Sequence, residues 1–198
     1  MTVVEIENRI ETPDKKLLRP INATSRTYRA LAEQFAAILR RELGQRLTSV
    51  VLYGSVARGS ARQNSDIDVL IIAGETDEER EATRDEIWKW DDAFEDQPEV
   101  VALQKAGYLA RLEIYVLSKA QARRGTPIYL DMTLEAIVLY DPEGFFDRRI
   151  QQIKRRMAEL NSYREWVEQD LYVWHLKANL KPGEVFSLPY IEETKDDQ

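Results

Sequence analysis

The chain has 198 residues, 43% of them hydrophobic, and its 35 acidic against 28 basic residues leave a net charge of −7. It contains no cysteine, which excludes disulfides and thiolate metal centres, and its apolar content excludes a wholly disordered chain. The acidic balance argues against sequence-independent binding to DNA or RNA, which depends on basic surface, and the length suits one domain with an appendage.

The first residues, Met1 to Asn8, lack a basic start and an apolar core, so no secretory signal is expected and the protein is expected in the cytoplasm. No later run approaches the roughly 20 apolar residues that span a bilayer. Val3-Val4-Glu5-Ile6-Glu7 alternates like an edge strand and leads into a polar arm. Asn22, Thr24 and Ser25 are N-cap candidates for a helix carrying Tyr28, Leu31, Ala32, Phe35, Ile38 and Leu39 at helical spacing and ending near Gly44. Apolar runs at Leu47–Tyr53 and Val69–Ile72 predict two strands. Thr76-Asp77-Glu78-Glu79 opens an acidic helix with Ile87, Trp88 and Trp90, which stops before Pro98; a short helix over 98–106 follows.

The segment Leu109–Leu117 predicts a strand with Leu112, Ile114 and Val116 on its apolar face and Glu113 opposite, beside Arg111 and Tyr115. A helix around Tyr129–Leu134 and a small strand at Ile137–Tyr140 follow, the latter stopped by Asp141-Pro142. Phe145 to about Tyr172 reads as the longest helix, with Ile150, Ile153, Met157 and Leu160 at core spacing and Trp166 and Trp174 packed on the domain. Its basic residues Arg148, Arg149, Lys154, Arg155 and Arg156 are interleaved with Glu143, Asp147 and Glu159, which predicts a solvated, ion-paired face; a tRNA-like polyanion is the minor reading. The single histidine, His175, reads as structural, and the acidic tail to Gln198 as mobile.

Residues 54–68 carry the chemistry. They read Gly-Ser-Val-Ala-Arg-Gly-Ser-Ala-Arg-Gln-Asn-Ser-Asp-Ile-Asp between two apolar strands. Asp66 and Asp68 are two apart on a strand and so share one face, where hard oxygen donors suit a divalent cation that keeps water and phosphate as its remaining ligands. Gly54 lets backbone approach a ligand closely, and Ser55 brings a hydroxyl and an N–H to the start of the short helix that follows. Phosphate at one end and carboxylates at the other make the layout of a nucleoside-triphosphate site. Arg58 has two readings, an ion pair with an acid or contact with the triphosphate. Arg62 reads as solvated, and Ser65 tightens the turn before the strand.

The spacing Gly-Ser-x-Ala-Arg-Gly, five residues, Ser-Asp-x-Asp resembles the DNA polymerase β-like nucleotidyltransferase superfamily, above all its small prokaryotic and archaeal "minimal nucleotidyltransferase" proteins. The resemblance implies an α+β (α/β) fold with a palm-like mixed β-sheet flanked by helices. It places a nucleotidyltransferase domain at residues 1–142 and a C-terminal helical extension and tail, packed on it, at 143–198. It also implies transfer of a nucleoside monophosphate from an NTP, with ATP the expected donor and Mg2+ or Mn2+ the cofactor. Gly54 and Ser55, with Arg58 and Ser65, are then the nucleotide-binding residues, and Asp66 and Asp68 the metal-binding and catalytic ones. A third carboxylate on a neighbouring strand normally completes such a site. Glu113 is the candidate, as ligand or base, where the family more often has Asp; Asp131 is the competitor. Expected acceptors are a hydroxyl on a partner protein, of the HEPN type found with some members, or a small molecule such as an aminoglycoside. A catalytically idle nucleotide-binding or interaction module is the alternative, and nucleic acid is the least expected partner.

Overall fold

The computed structural model describes residues 10–12, 21–168 and 171–187. The expected strand at Val3–Glu7 and the acidic end of the tail lie outside them. After a two-residue strand β1 (Ile10–Glu11), helix α1 (Ala23–Leu43) begins at the predicted cap, the Asn22 side chain accepting the Ser25 N–H at 2.7 Å. Strand β2 (Leu47–Leu52) leads through a one-turn helix α2 (Gly54–Ala57) and a polar loop to β3 (Ile67–Ala73). Helices α3 (Asp77–Glu95) and α4 (Pro98–Lys105) follow, with Thr76 capping α3 as its acidic first turn predicts. Next come β4 (Leu112–Leu117), α5 (Lys119–Arg124), α6 (Ile128–Glu135), β5 (Ile137–Tyr140) and α7 (Phe145–Glu159). Helix α5 is absent from the sequence reading, although Ser118 and Gln121 form the capping box that starts it. Strands β6 (Tyr163–Glu168) and β7 (Leu171–His175) complete the described elements.

Four strands form a mixed sheet in the order β4-β3-β2-β5, antiparallel except for the parallel β3–β4 pair. The two central strands are buried on both faces, which is why they are continuous apolar runs rather than alternating ones. Ile67, Val69 and Ile71 pack with Leu31 and Phe35 of α1 and Ile87 and Phe94 of α3. Leu70 and Ile72 point the other way, against Tyr129 of α6 and Ile150, Ile153 and Met157 of α7. This is the expected α+β class, a mixed sheet flanked by helices. Strand β4 also behaves as read: Leu112, Ile114 and Val116 face the first core, and Glu113 is exposed on the other side. Among the described residues no helix is long and apolar enough to cross a membrane.

The C-terminal part corrects the sequence reading. The helix expected to reach Tyr172 ends at Glu159, and Tyr163–Glu168 and Leu171–His175 form antiparallel strands in a second sheet of order β1-β6-β7. The stop is a Schellman motif: Asn161 adopts φ +54°, its N–H donates to Ala158 O, and the Ser162 N–H donates to Met157 O at 2.8 Å. Beyond it the period changes from helical to two, with Arg164 and Trp166 opposite Trp174 and Tyr172, and aromatic and β-branched residues favour a strand. The expected solvated basic face of α7 is corrected at one position, since Arg149 is only 3% exposed.

Asp91 of α3 carries a testable cost. Its Oδ1 is buried with no hydrogen-bond partner, and burial, with Glu95 and Asp92 nearby, pushes its pKa up to about 6. Because the folded pKa lies above the unfolded one, this stability penalty is absent below about pH 3, grows as the pH rises past the unfolded value and is complete above about 6. Asp91→Asn is therefore expected to raise stability on the order of 2 kcal/mol at about pH 8 and to leave it nearly unchanged at about pH 3. Thermal unfolding at the two pH values checks the difference.

Candidate active site

The site grows from the turn between β2 and β3. Tyr53 leaves β2 with its N–H on Asp68 O at 3.0 Å, and Gly54 then adopts φ +69°. A Cβ on Gly54 would stand 2.8 Å from Asp68 Cγ, inside the space its carboxylate fills, so both the backbone angle and the close approach require glycine. Gly54→Ala is expected to abolish transfer while the purified protein still unfolds cooperatively; radiolabel transfer and calorimetry check the two halves. The loop after α2 is tied to α1: the Asn22 amide donates to Ala61 O at 2.9 Å, and Ser25 Oγ accepts the Ala61 N–H at 3.0 Å. Tyr28 holds its far end, donating to Gln63 O at 2.8 Å and accepting the Ala110 N–H at 3.1 Å. Ser65 Oγ accepts the Arg62 N–H at 3.0 Å, the turn-tightening role read from the sequence.

These ties set Asp66 and Asp68 at the head of β3, beside an open pocket of about 380 Å³ that Gly54, Ser55, Arg58 and Ser65 also line. That volume falls within the roughly 300–1,000 Å³ of small-molecule sites. Glu113 stands in register with Asp68 on the neighbouring strand, so the two side chains share a face. Burial, then the charges of Asp66 and Glu113, push the Asp68 carboxyl up to about 6, against the opposing pull of Arg58. The Tyr53 hydroxyl is pushed up by burial and by Asp68 and Glu113. Asp66 has a cation at hand, Arg111 Nη2 at 3.1 Å, and keeps 37% of its side chain exposed.

Such a negative field, carried by hard oxygen donors beside a pocket, fits a divalent cation at Asp66 and Asp68. Glu113 completes no tighter cluster: among the described residues no three carboxylates or histidines stand close enough to hold an ion together.

Three polar pocket residues, with Ile128, come from elements that the motif does not include. Asp131, the sequence's competitor to Glu113 for the third carboxylate, lines the pocket and accepts from Tyr172 Oη and Trp174 Nε1, each at 2.9 Å. Both its oxygens are thereby engaged, which suits a wall more than a metal ligand. Glu135 of α6 and Tyr172 of β7 line the pocket too. Arg58 forms the ion pair with an acid that was one of its readings, donating to Glu135 Oε1 at 2.5 Å, and it also lines the pocket. Glu135 also accepts from Arg164 at 3.2 Å, and Arg164 pairs with Glu11 of β1. The Arg164 guanidinium lies 5.0 Å from the Trp166 ring centre and 4.8 Å from that of Tyr172. The second sheet is thus joined to the pocket by the buried Arg164 as well as by Tyr172 and Trp174, which hold Asp131. The sequence signal for it was an arginine in an aromatic, alternating segment. His175 is structural, as expected, stacked on Tyr163 at 4.4 Å and 2.9 Å from Glu165 Oε2.

Residues 32–121 match the family model described as nucleotidyltransferase domain, a span running from α1 through the motif to α5. No curated protein matches the chain. Among solved structures, a toxin–antitoxin complex with AMP-PNP is 18% identical at a TM-score of 0.38, the match covering 65% of this chain and 92% of that one. The MNT antitoxin complex with the tri-AMPylated HEPN toxin of Shewanella oneidensis is 17% identical at a TM-score of 0.36, covering 67% and 92%. At these scores the structural likenesses carry no weight for what this chain does.

Proposed function

We propose, from the match of residues 32–121 to the family model described as nucleotidyltransferase domain, that this chain transfers a nucleoside monophosphate, AMP in the first instance, from an NTP to a hydroxyl acceptor. The observation that carries the reading is the carboxylate pair Asp66 and Asp68 at the head of β3, with Gly54 pressed against Asp68 and the pocket open beside them. Asp66 and Asp68 would hold Mg2+ or Mn2+, which when bound neutralises triphosphate charge and lowers the pKa of an attacking hydroxyl. The chain's own part is positioning and electrostatics. Ser55 presents its hydroxyl and N–H to the triphosphate, and Arg58, aimed by Glu135, adds a cation. The acceptor oxygen attacks the α-phosphorus, the bond to the β-phosphate oxygen breaks, and pyrophosphate leaves. Glu113 takes the acceptor's proton; its place beside Asp68 but outside any three-ligand cluster favours base over ligand.

Asp66 and Glu113 are open to solvent, so an acceptor as large as a protein segment can approach. A hydroxyl on a HEPN-type partner protein, the acceptor implied by the motif's resemblance, is accordingly preferred to a small-molecule hydroxyl. The test is incubation with ATP labelled at the α- or the γ-phosphate, with magnesium or manganese and a cell lysate as acceptor source. Label from the α-position is expected on a macromolecule and label from the γ-position in pyrophosphate. Transfer of the γ-label to an acceptor, or nucleotide binding with no transfer from either position, sinks the proposal.

A further inference from the structure

A second pocket, of about 320 Å³, opens where α5 turns into α6, and its lining is basic. Arg80, Arg124, Gln121 and Tyr115 line it together with the Gly125-Thr126 turn, and no acidic residue does so among the described residues. In a chain of net charge −7 this runs against the average surface. Arg124 is exposed and pairs with no carboxylate among the described residues, unlike its neighbour Arg123, which lies 4.0 Å from Glu75 Oε2. Arg80 pairs with Glu81 through Nη2, while its Nε is buried without a hydrogen-bond partner among the described residues.

Behind the turn lies Arg149 of α7. Its guanidinium is packed against Gly125, Nη2 standing 3.0 Å from where a Cβ on that glycine would be. Gly125 adopts φ +86°, so glycine is required there for the backbone angle, and no side chain screens the arginine from the turn. Arg149 is 3% exposed, and its Nε and Nη1 are buried with no hydrogen-bond partner. On α6, the Tyr129 hydroxyl is likewise buried without a partner, and Tyr129 packs edge-on against Phe146, one helical turn from Arg149.

A guanidinium does not deprotonate in proteins, so burial leaves it charged. Removing such a charge from water is costly unless a counter-charge with matching hydrogen bonds compensates it. For Arg149 no protein group does so among the described residues, and burial holds its pKa below the ordinary value. The missing counter-charge is what an anion supplies, and a guanidinium fork matches the oxygens of phosphate or carboxylate in pairs. We infer that the α5–α6 turn is an anion-binding site for a phosphate or carboxylate group, held by Arg149 with Arg124 and Arg80 at its mouth.

This site is separate from the triphosphate pocket and does not rest on the transfer reaction. It adjoins the same sheet face, because Tyr115, in its lining, is two residues along β4 from Glu113.

The experiment is equilibrium binding of inorganic phosphate, and separately of acetate, to the full chain at constant ionic strength, with thermal unfolding in parallel. Wild type, Arg149→Met, Arg124→Gln and Ser55→Ala are compared. Wild type and Ser55→Ala are expected to bind phosphate alike and to gain thermal stability with it, whereas Arg149→Met loses affinity by about tenfold or more. Without phosphate, Arg149→Met should unfold at or above the wild-type temperature, since an uncompensated buried charge has been replaced by an apolar chain. Arg124→Gln, at an exposed position, weakens binding without affecting folding and keeps the test open if Arg149→Met does not fold. Tighter binding of acetate than of phosphate assigns a carboxylate as the ligand group, and the reverse a phosphate. Equal phosphate affinity in wild type, Arg149→Met and Arg124→Gln overturns the inference. So does loss of phosphate binding in Ser55→Ala alone, which puts the anion in the triphosphate pocket, or no binding by wild type at about 20 mM, a level at which even a weak site is occupied.

Discussion

Asp68→Asn is expected to remove nucleotidyl transfer while making the metal-free protein more stable. The activity loss follows from losing one of the two carboxylates proposed to hold the cation. About 3 kcal/mol of transition-state stabilisation, or about 10²-fold in rate, is the smallest effect consistent with that role. The stability gain follows from the local field. Asp68 is pushed up to about 6 by burial and by Asp66 and Glu113, so its ionised form opposes folding once the pH exceeds its unfolded value, and fully so above 6. The amide keeps the shape and removes the charge. Initial rates with α-labelled ATP and thermal unfolding in EDTA at pH 8 read the two effects. Unchanged transfer would show that Asp68 is no part of the reaction, and lower stability would show that its charge is matched within the fold. A functional site that opposes folding stability is a familiar exchange.

Arg164→Leu is expected to give the largest loss of stability of any single substitution considered for this chain. Arg164 is 2% exposed in its side chain and stands between Glu11 and Glu135, themselves only 4% and 6% exposed. Removing the cation leaves two buried carboxylates uncompensated, which costs about 3–5 kcal/mol. For a chain of this length that corresponds to a fall of roughly 10 °C in Tm. The same change frees Glu135, whose pKa burial already raises against the opposing pull of Arg164 and Arg58. Arg58 then loses its fixed position, so KM for ATP should rise in whatever fraction stays folded. Arg164→Lys is expected to rescue only part of the stability, because one ammonium cannot match both carboxylates and the three flanking aromatic rings as a planar guanidinium does. A Tm within a few degrees of wild type for Arg164→Leu would mean that the pocket and the second sheet are not joined through this residue.

The parts of the molecule legible in the sequence are those whose causes are local. Asn22 and Thr76 cap the helices that their own side chains start. The apolar runs of β2 and β3 announce strands covered on both faces. The end of α7 was also written locally, in Asn161 and Ser162, but the apolar spacing before it and the aromatic residues after it carried the helix reading too far. The candidate site divides in the same way. Gly54, Ser55, Asp66 and Asp68 lie within residues 54–68, and their geometry follows from a positive φ, a short turn and the two-residue period of a strand. Asp131, Glu135 and Tyr172 reach the same pocket from α6 and β7, and nothing near them in the chain distinguishes them from solvated acids or a packed tyrosine.

Dihedral preference, capping and side-chain period act between residues close along the chain, so the Gly54–Asp68 motif, the strands that carry it and most of the helices that flank them are readable from the sequence alone. Which acid holds Arg58, what Arg164 joins, and that Arg149 is buried with Nε and Nη1 unpartnered among the described residues, rather than on a solvated face, emerge only from the folded arrangement. Charge pairing and burial are set by distance through space, and that distance exists only once α6, α7 and the β6–β7 hairpin have packed against the sheet and one another.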